Sequence, residues 1–363
     1  MLNETVLLVQ RIRLLLSSAV LLAAMSPAIA YEIDASATIA DSDTTLMGVN
    51  HIGLSVRDLD TALEFYLQAT GFELVRREIV RNNNRADSLF GYEGVEYEVA
   101  VLEAPNMLFE LTEFSHNRDV PVSNMPVQGP GMSHTCFQSP AHLSGYTKFK
   151  NAGAQMLSRG DGPVDLLGQG VTYAYGYDPE GNMLEMEQLD FSRLGGDPRD
   201  PEWIEQGFDM WMTQVALVTH DIERLTNYYE KIMGFSPWRE SDISGREKFD
   251  DATDIDDLHV KVMFFRMAAR SKSMEFWEYV NPRTPEPTEN LHSTALGYSY
   301  SLEVGDIQAE YERMSDLGVS FVGEPVLLGE FWQVYANDID GNVFSLRQAI
   351  DPDSPYSVPQ LEL

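Results

Sequence analysis

The sequence predicts an α+β fold in which four β-α-β-β-β modules are arranged in two pairs. Three observations lead to this prediction. Short segments alternate apolar and polar residues, as strands with one packed face do. Helical patterns that end at glycines follow the first strand of each module. The whole arrangement then recurs along the chain, which indicates an internal duplication.

The first module begins with a strand at residues 47–56, where Ile52 and Leu54 fall on one side and His51 falls on the other. Asp58 is placed to cap a helix over residues 59–70, and Gly71 is placed to end it. Three further strands are predicted at 72–80, 95–102 and 107–114.

The same string returns in the second half of the chain. Asp58 and Asp221 are separated by 163 positions, and so are Gly71 and Gly234. Each half also divides again, with further first strands at 131–138 and 297–304 and with turns of the type I, left-handed-glycine kind at 178–182 and 338–342. These matches complete the count of four modules.

The predicted organisation follows from these boundaries. It comprises a signal peptide at 1–30, a flexible leader at 31–46, a first domain at 47–190, a linker at 191–208, a second domain at 209–350 and a C-terminal tail at 351–363.

The composition excludes several classes of protein. The 363 residues carry 57 acidic and 25 basic side chains, a formal net charge of -32. Such a chain is expected to repel nucleic acid and anionic membranes. The single cysteine, Cys136, excludes an internal disulfide and a multi-cysteine zinc site.

The N-terminus has the features of an export signal. Arg11 and Arg13 precede an apolar stretch at 14–25, and Ala28-Ile29-Ala30 resembles a cleavage site. We therefore expect a mature periplasmic or secreted protein without a membrane anchor; the alternative is a retained anchor.

Taken together, the four modules, the Glu110-Leu-Thr segment and the run from Asp178-Pro-Glu-Gly to Glu185 resemble the vicinal oxygen chelate superfamily of glyoxalases, bleomycin resistance proteins and extradiol dioxygenases. The resemblance covers about residues 47–350. It implies that two modules pair into a cup-shaped sheet and that metal ligands project into the cup from the first and last strands of each module.

The resemblance implies one metal site with His51, Glu110, His134 and Glu185 as ligands. Strand alternation supports three of these ligands, because His51, Glu110 and Glu185 are each out of phase with their apolar neighbours. Imidazole and carboxylate ligands suit one divalent ion of Zn, Ni, Mn or Fe.

The second half has different residues at the corresponding positions. Gln214 replaces His51, Ser299 replaces His134 and Ser345 replaces Glu185. Glu278 can be aligned with Glu110, although that strand could slip by one residue. The second domain is therefore predicted to be metal-free. Pairing module 1 with module 2 is also favoured, because pairing module 1 with module 4 splits the four ligands between two half-sites.

Two neighbours of the predicted site have open interpretations. The hairpin register places Tyr175 opposite Glu185 and Tyr173 opposite Glu187. Tyr175 is therefore a candidate catalytic residue, although simple packing in the sheet explains it equally well. Cys136 is interpreted as a small buried hydrophobe. The other histidines are predicted to be surface residues: His116, His142, His220, His259 and His292.

Three functions remain open at this point. The favoured one is a glyoxalase I-like lyase or isomerase in which Glu110 or Glu185 moves a proton and the metal stabilises an enediolate. Export argues against a glutathione hemithioacetal and for another small oxygenated substrate. The second is an Fe(II) extradiol-type dioxygenase with His51, His134 and Glu185 as its ligand triad.

The third is a non-catalytic binder of small molecules. Its aromatic surface would come from the following residues: Trp211, Trp277, Trp332, Tyr300 and Tyr335. For the favoured function the expected partner is a small-molecule substrate, and the protein is expected to be a monomer or a homodimer.

Overall fold

A computed structural model describes residues 33–194, 201–268, 272–287 and 289–361. The predicted signal peptide, residues 195–200 of the predicted linker and the last two residues of the tail lie outside this part of the chain. Within the described ranges, no helix is long and apolar enough to cross a membrane.

Module 1 follows the predicted order and adds one short helix. Asp58 accepts a hydrogen bond from the backbone of Thr61, and Gly71 ends the long helix in a left-handed conformation. Its elements are β1 (Leu46–Val56), α1 (Leu59–Thr70), β2 (Glu73–Val80), α2 (Asn84–Phe90), β3 (Tyr97–Glu103) and β4 (Leu108–Phe114).

Module 2 has a first strand that is interrupted at Thr135. Its elements are β5 (Gly131–His134), β6 (Cys136–Pro140), α3 (Gly145–Ala152), β7 (Gln155–Met156), β8 (Val171–Tyr177) and β9 (Met183–Leu189). A short helix, α4 (Pro201–Glu205), and a short strand, β10 (Trp211–Met212), lead into the next module.

Module 3 repeats module 1. Asp221 caps its long helix through the backbone of Arg224, and Gly234 ends it. Its elements are β11 (Gln214–Val218), α5 (Ile222–Met233), β12 (Arg239–Ser244), α6 (Glu247–Thr253), β13 (His259–Arg266) and β14 (Ser273–Asn281).

Module 4 repeats module 2 and carries the C-terminal segment. Its elements are β15 (Gly297–Val304), α7 (Ile307–Asp316), β16 (Ser320–Phe321), β17 (Val326–Leu328), β18 (Phe331–Asn337) and β19 (Val343–Ala349). A last turn of helix, α8 (Val358–Leu361), packs beside β1. The four β-α-β-β-β modules of an α+β fold are thus confirmed.

The modules pair crosswise. β1 runs antiparallel to β15, so modules 1 and 4 share a nine-stranded sheet. β5 runs antiparallel to β11, which joins module 2 to module 3. We call the sheet of modules 1 and 4 the terminal cup, and the two sheets of modules 2 and 3 the central cup.

The predicted pairing of module 1 with module 2 is therefore wrong. A first strand with an open edge is satisfied equally well by any antiparallel first strand, so the module pattern alone does not select a partner. We predicted module 2 as the partner of module 1 because that pairing keeps the four presumed ligands together. The strands pair differently.

Modules 1 and 2 are instead held together on their helical side. Phe65 of α1 packs against Phe149 of α3 with ring centroids 5.9 Å apart, and Tyr66 stacks on Phe137. The Tyr66 hydroxyl also donates to Asp178 in the turn of module 2. Sheets thus join module 1 to module 4 and module 2 to module 3, whereas the helical side joins module 1 to module 2.

Three smaller predictions concern the leader, the turns and the tail. Residues 33–45 are not a flexible leader, because Ala37 and Ile39 are buried and Ser42 donates to the backbone of Met233. Both predicted turns are confirmed, with left-handed Gly181 and Gly341. In the tail, the described residues pack through Val358 and Leu361.

Candidate metal centre

In the central cup, the side chains of His134 and Glu185 lie close together. Both side chains are buried, with exposed fractions of 2% each. The Nε2 of His134 lies 3.5 Å from Oε2 of Glu185. Glu185 comes from β9 and His134 from β5, so the last and first strands of one module supply them, as the sequence predicted.

Module 3 supplies a third group, Gln214, at the start of β11. Its amide donates to Glu185 in a short hydrogen bond and lies 3.5 Å from Nε2 of His134. Sequence comparison placed Gln214 at the position of His51, and the strand registers agree: Gln214 pairs with the first residue of β14 as His51 pairs with the first residue of β4.

Glu275 is the fourth group, and sequence reasoning missed it. Ala216 lies beside Glu275 as Gly53 lies beside Glu110, so Glu275 is the counterpart of Glu110. The predicted alignment of Glu278 with Glu110 is wrong. The missed signal is the spacing of two glutamates in Glu110-Leu-Thr-Glu113, which recurs in Glu275-Phe-Trp-Glu278.

Glu113 and Glu278 have a separate, structural role. Glu113 accepts from the first backbone N–H of α1 at 2.8 Å, and Glu278 accepts from that of α5 at 3.1 Å. A carboxylate at a helix N-terminus binds an otherwise unsatisfied donor. These two residues therefore anchor helices and do not face either cup.

The charges of the central cup favour a cation. Burial, reinforced by Glu185 and Glu187, raises the pKa of Glu275 to about 8. Trp277 Nε1 and Ser273 Oγ each donate to Glu275 at 3.2 Å and hold it in place. Several carboxylates near one another in a buried site are destabilised unless a proton or a metal ion lies between them.

The orientation of His134 gives a second reason. The Oγ of Ser133 lies 2.8 Å from Nδ1 of His134 and 3.5 Å from the Ala216 carbonyl. When Ser133 donates to that carbonyl, it accepts from Nδ1–H, and the lone pair of Nε2 then faces the Glu185 carboxylate. Two acceptors face each other at 3.5 Å, an arrangement that a cation stabilises.

These residues fit a divalent metal ion by their chemistry. An imidazole, two carboxylates and an amide oxygen suit Zn, Ni, Mn or Fe. Among the described residues, no three His, Cys, Asp or Glu side chains already form a cluster that could hold a metal ion. Holding an ion therefore requires side-chain rotation, including a flip of the Gln214 amide that brings its oxygen forward.

A cavity of about 340 Å³ opens from this group. Tyr175 lines it opposite Glu185, and Tyr173 pairs with Glu187, so the predicted hairpin register is confirmed. Burial, with a contribution from Glu185, raises the pKa of Tyr175, so its hydroxyl stays protonated. The wall also includes apolar, basic and acidic residues, among them the following: Leu166, Phe249, Trp277, Arg239, Arg246 and Asp242.

The terminal cup contains His51 and Glu110 but lacks the other two ligands. Ser299 lies at the position of His134, beside Gly53, and Ser345 lies at the position of Glu185, opposite Tyr335. The Ser345 hydroxyl donates to Ser301 at 2.9 Å. Two neutral hydroxyls thus replace an imidazole and a carboxylate.

Two arginines face His51 and Glu110. Arg76 lies 3.5 Å from Glu110, and Arg347 Nη1 lies 3.0 Å from Nδ1 of His51. Burial lowers the pKa of His51 to about 3, against the opposing effect of Glu110 and with a contribution from both arginines. Burial opposes ionisation of Glu110, but His51 and the arginines lower its pKa below the usual value.

The prediction of one site with four ligands is therefore wrong. His51 and Glu110 lie in the terminal cup, whereas His134 and Glu185 lie in the central cup. Cys136 is fully buried, in agreement with its interpretation as a small hydrophobe. None of the five histidines predicted to be at the surface is buried.

Four β-α-β-β-β modules paired into two cups define a class of proteins by their fold. Comparison with known families shows which superfamily this chain belongs to. Residues 48–186 and 213–335 each match a sequence model of the Glyoxalase/Bleomycin resistance protein/Dioxygenase superfamily. Together these matches cover more than half of the chain, which belongs to that superfamily.

Curated relatives are distant. A lactoylglutathione lyase from Oryza sativa is 25% identical over 193 residues, which is 53% of this chain and 55% of the lyase. The chain thus spans about half the length of that relative. An ethylmalonyl-CoA/methylmalonyl-CoA epimerase from Cereibacter sphaeroides is 25% identical over 143 residues, 39% of this chain and 97% of the epimerase.

Solved structures share the fold over a larger region. Glyoxalase I from Zea mays matches with a TM-score of 0.55 and 21% identity, covering 85% of this chain and 94% of its own. A proposed dioxygenase from Bacillus subtilis matches with a TM-score of 0.54 and 11% identity, covering 85% and 87%. At these identities the likeness establishes the fold alone.

Proposed function

We propose that this chain is a metal-dependent lyase or isomerase of the glyoxalase I type, with its active site in the central cup. The observation that carries the proposal is the convergence of His134, Glu185, Gln214 and Glu275 beside one cavity. The names of the curated relatives, a lyase and an epimerase, support proton-transfer chemistry.

A bound divalent ion would supply a Lewis acid that polarises a carbonyl or hydroxyl oxygen of the substrate. The protein groups do the rest. Glu185 removes the proton from the hydroxyl-bearing carbon next to the carbonyl and returns it to the carbonyl carbon, while the hydroxyl proton passes to the former carbonyl oxygen. Tyr175, protonated and next to Glu185, donates a hydrogen bond that orients either the carboxylate or the substrate.

The cavity restricts the substrate class. About 340 Å³ suits a small molecule, and Phe249 and Trp277 form an apolar wall that excludes water. Arg239 lines the same space, and its charge partly offsets the burial that raises the pKa of Glu275. We therefore propose a small hydroxy-carbonyl substrate whose apolar part contacts the aromatic wall.

The arrangement of the histidines argues against the dioxygenase alternative. A 2-His-1-carboxylate triad needs two imidazoles at one ion. The two predicted histidine ligands lie in different cups, and among the described residues His134 is the only histidine within contact distance of Glu185 and Gln214. The proposed site therefore has the wrong ligand set for that chemistry.

Proton exchange tests this function directly. Hemithioacetals of methylglyoxal with glutathione and with 2-mercaptoethanol would be incubated with metal-loaded enzyme in D₂O, and deuterium incorporation followed by NMR. We expect Glu185→Gln to lower the rate by about 10²–10⁴-fold. Glu110→Gln, its matched control in the terminal cup, should stay close to wild type. Equal losses in both variants, or no exchange with any hydroxy-carbonyl probe, would contradict the proposal.

We also propose that the chain is exported and cleaved after Ala30, on the basis of the basic residues, apolar stretch and small-residue site in 1–30. The N-terminal sequence of protein recovered from a periplasmic extract tests this. A first residue other than Tyr31, or recovery of the full-length chain in the membrane fraction, would count against it.

A further inference from the structure

The terminal cup contains a cavity of about 490 Å³ that the proposed chemistry does not use. The side chains of Phe90, Tyr97, Phe331 and Tyr335 give it an aromatic wall. Its volume lies in the range of small-molecule sites. The cavity is therefore large enough for an organic ligand with an apolar part.

Arg347 lines this cavity together with Glu110 and Gln333. Glu110 and Glu303 act on its charge from beyond ion-pair distance. Its exposed fraction is only 4%, and its guanidinium stacks over the Phe331 ring at 3.4 Å. Among the described residues, no carboxylate oxygen lies within ion-pair distance of it, and its buried Nε has no hydrogen-bond partner. A buried cation without a close counter-ion is unfavourable unless another group supplies acceptors.

His51, which lies beside Arg347, does not supply such an acceptor. The Asn50 amide nitrogen donates to Glu303 and to the Tyr356 carbonyl, which fixes the direction of the amide. Its oxygen therefore accepts from Nδ1 of His51 at 3.0 Å. With a hydrogen on Nδ1, His51 cannot also accept from Arg347.

Arg76 lies at the mouth of the same cavity. Its guanidinium is 41% exposed and lies 3.5 Å from Glu110 and 3.8 Å from Glu78. The carboxylate of Glu330 also borders the mouth. Exposed pairs at these distances are weak and can be exchanged for a better-placed anion.

We propose that the terminal cup binds a small organic carboxylate with an apolar body, held by Arg347 with Arg76 as a second contact, and without a metal ion. The guanidinium supplies donors for the carboxylate, and the aromatic wall supplies the surface for the apolar part. This inference does not rest on the function proposed for the central cup.

Calorimetric titration of the mature chain with benzoate tests the proposal after metal removal with a chelator. We expect benzoate to bind, benzyl alcohol and inorganic phosphate to bind at least tenfold more weakly, and Arg347→Met to weaken benzoate at least tenfold. Arg81→Met is the matched control, since Arg81 is exposed and lies 3.9 Å from Glu96; it should have no effect.

Several results would overturn the proposal: no benzoate binding to the wild type, unchanged affinity in Arg347→Met, equal binding of phosphate, or an equal loss in Arg81→Met. If Arg347→Met fails to fold, Arg347→Lys and Arg76→Met replace it, and both must weaken binding. Glu185→Gln separates the two proposals, because it should lower proton exchange by about 10²–10⁴-fold and leave benzoate affinity unchanged. Benzoate binding that disappears on chelation, or in Glu185→Gln, would assign the anion to the central cup.

Discussion

The central cup has Glu187 at the position where the terminal cup has Arg347, two residues beyond the last-strand ligand position. The same comparison pairs Glu185 with Ser345, His134 with Ser299 and Gln214 with His51. Glu110 and Glu275 correspond, as do Arg76 and Arg239, which lie beside them across two strands.

This difference shows that the side chains, rather than the backbone arrangement, determine what each cup binds. The strand order and registers match, so the two cups present side chains at equivalent places. One collects carboxylates and an imidazole, which attract a cation. The other collects two arginines and hydroxyls around His51 and Glu110, and the buried Nε of Arg347 is a donor that an anion can satisfy.

The largest expected effect separates the two histidines. His134→Ala should abolish metal retention, or weaken metal binding by at least ~100-fold, because it removes a ligand. His51→Ala should retain about one metal equivalent per chain, since the terminal cup has no complete ligand set. Elemental analysis of protein purified anaerobically without chelators measures both. Loss of metal in both variants would show that the cups are not distinct.

The next effect is on the pH dependence of stability in the metal-free protein. The pKa of Glu275 is raised to about 8, so the native state keeps its proton and loses stability as pH rises from about 4.5 to 8. We expect the free energy of unfolding to fall by about 4 kcal/mol over this window and Glu275→Gln to remove most of the fall.

His51 should act in the opposite direction. Its pKa is lowered to about 3, so the native state excludes a proton, and stability is lost as pH falls from about 6.5 toward 3. Denaturant unfolding at a series of pH values measures both slopes, and His51→Ala should flatten only the acid side. If the free energy of unfolding had the same pH dependence in the wild type and in both variants, both predictions would be wrong.

The smallest effect concerns the helix anchors. Glu278→Gln should reduce the free energy of unfolding by about 1 kcal/mol, because it weakens the carboxylate bond to Ile222 at the start of α5. It should leave metal affinity unchanged, whereas Glu275→Gln should reduce that affinity. Thermal unfolding and metal titration distinguish the two variants. Weaker metal binding in Glu278→Gln would support the alignment of Glu278 with Glu110 that the sequence predicted.

Local features of the fold could be predicted from the sequence. The offset between Asp58 and Asp221 located the repeated helices, and strand alternation identified the inward-facing polar residues. The register of β8 and β9 followed from the turn at 178–182. Each of these depends on interactions between residues near one another along the chain, which is why the sequence pattern reveals them.

The arrangement of the modules could not be predicted in the same way. Pairing β1 with β5 or with β15 satisfies the same backbone hydrogen bonds, and the difference depends on distant contacts such as Asn50 with Glu303. Glu275 was missed for a different reason. A strand that carries two glutamates three positions apart offers two candidate alignments, and only its neighbours show which one faces the cup.

The hydrogen bond between Asn50 and Glu303 joins residues 253 positions apart. During synthesis, β1 therefore emerges long before β15 exists to cover its edge, and module 2 emerges before module 3. Contacts this distant along the chain are slow to form, and uncovered strand edges promote association between chains. Cutting the molecule after residue 190 would separate β1 from β15 and β5 from β11, so we expect each half identified by sequence either to expose its first-strand edges or to pair them differently from the intact protein.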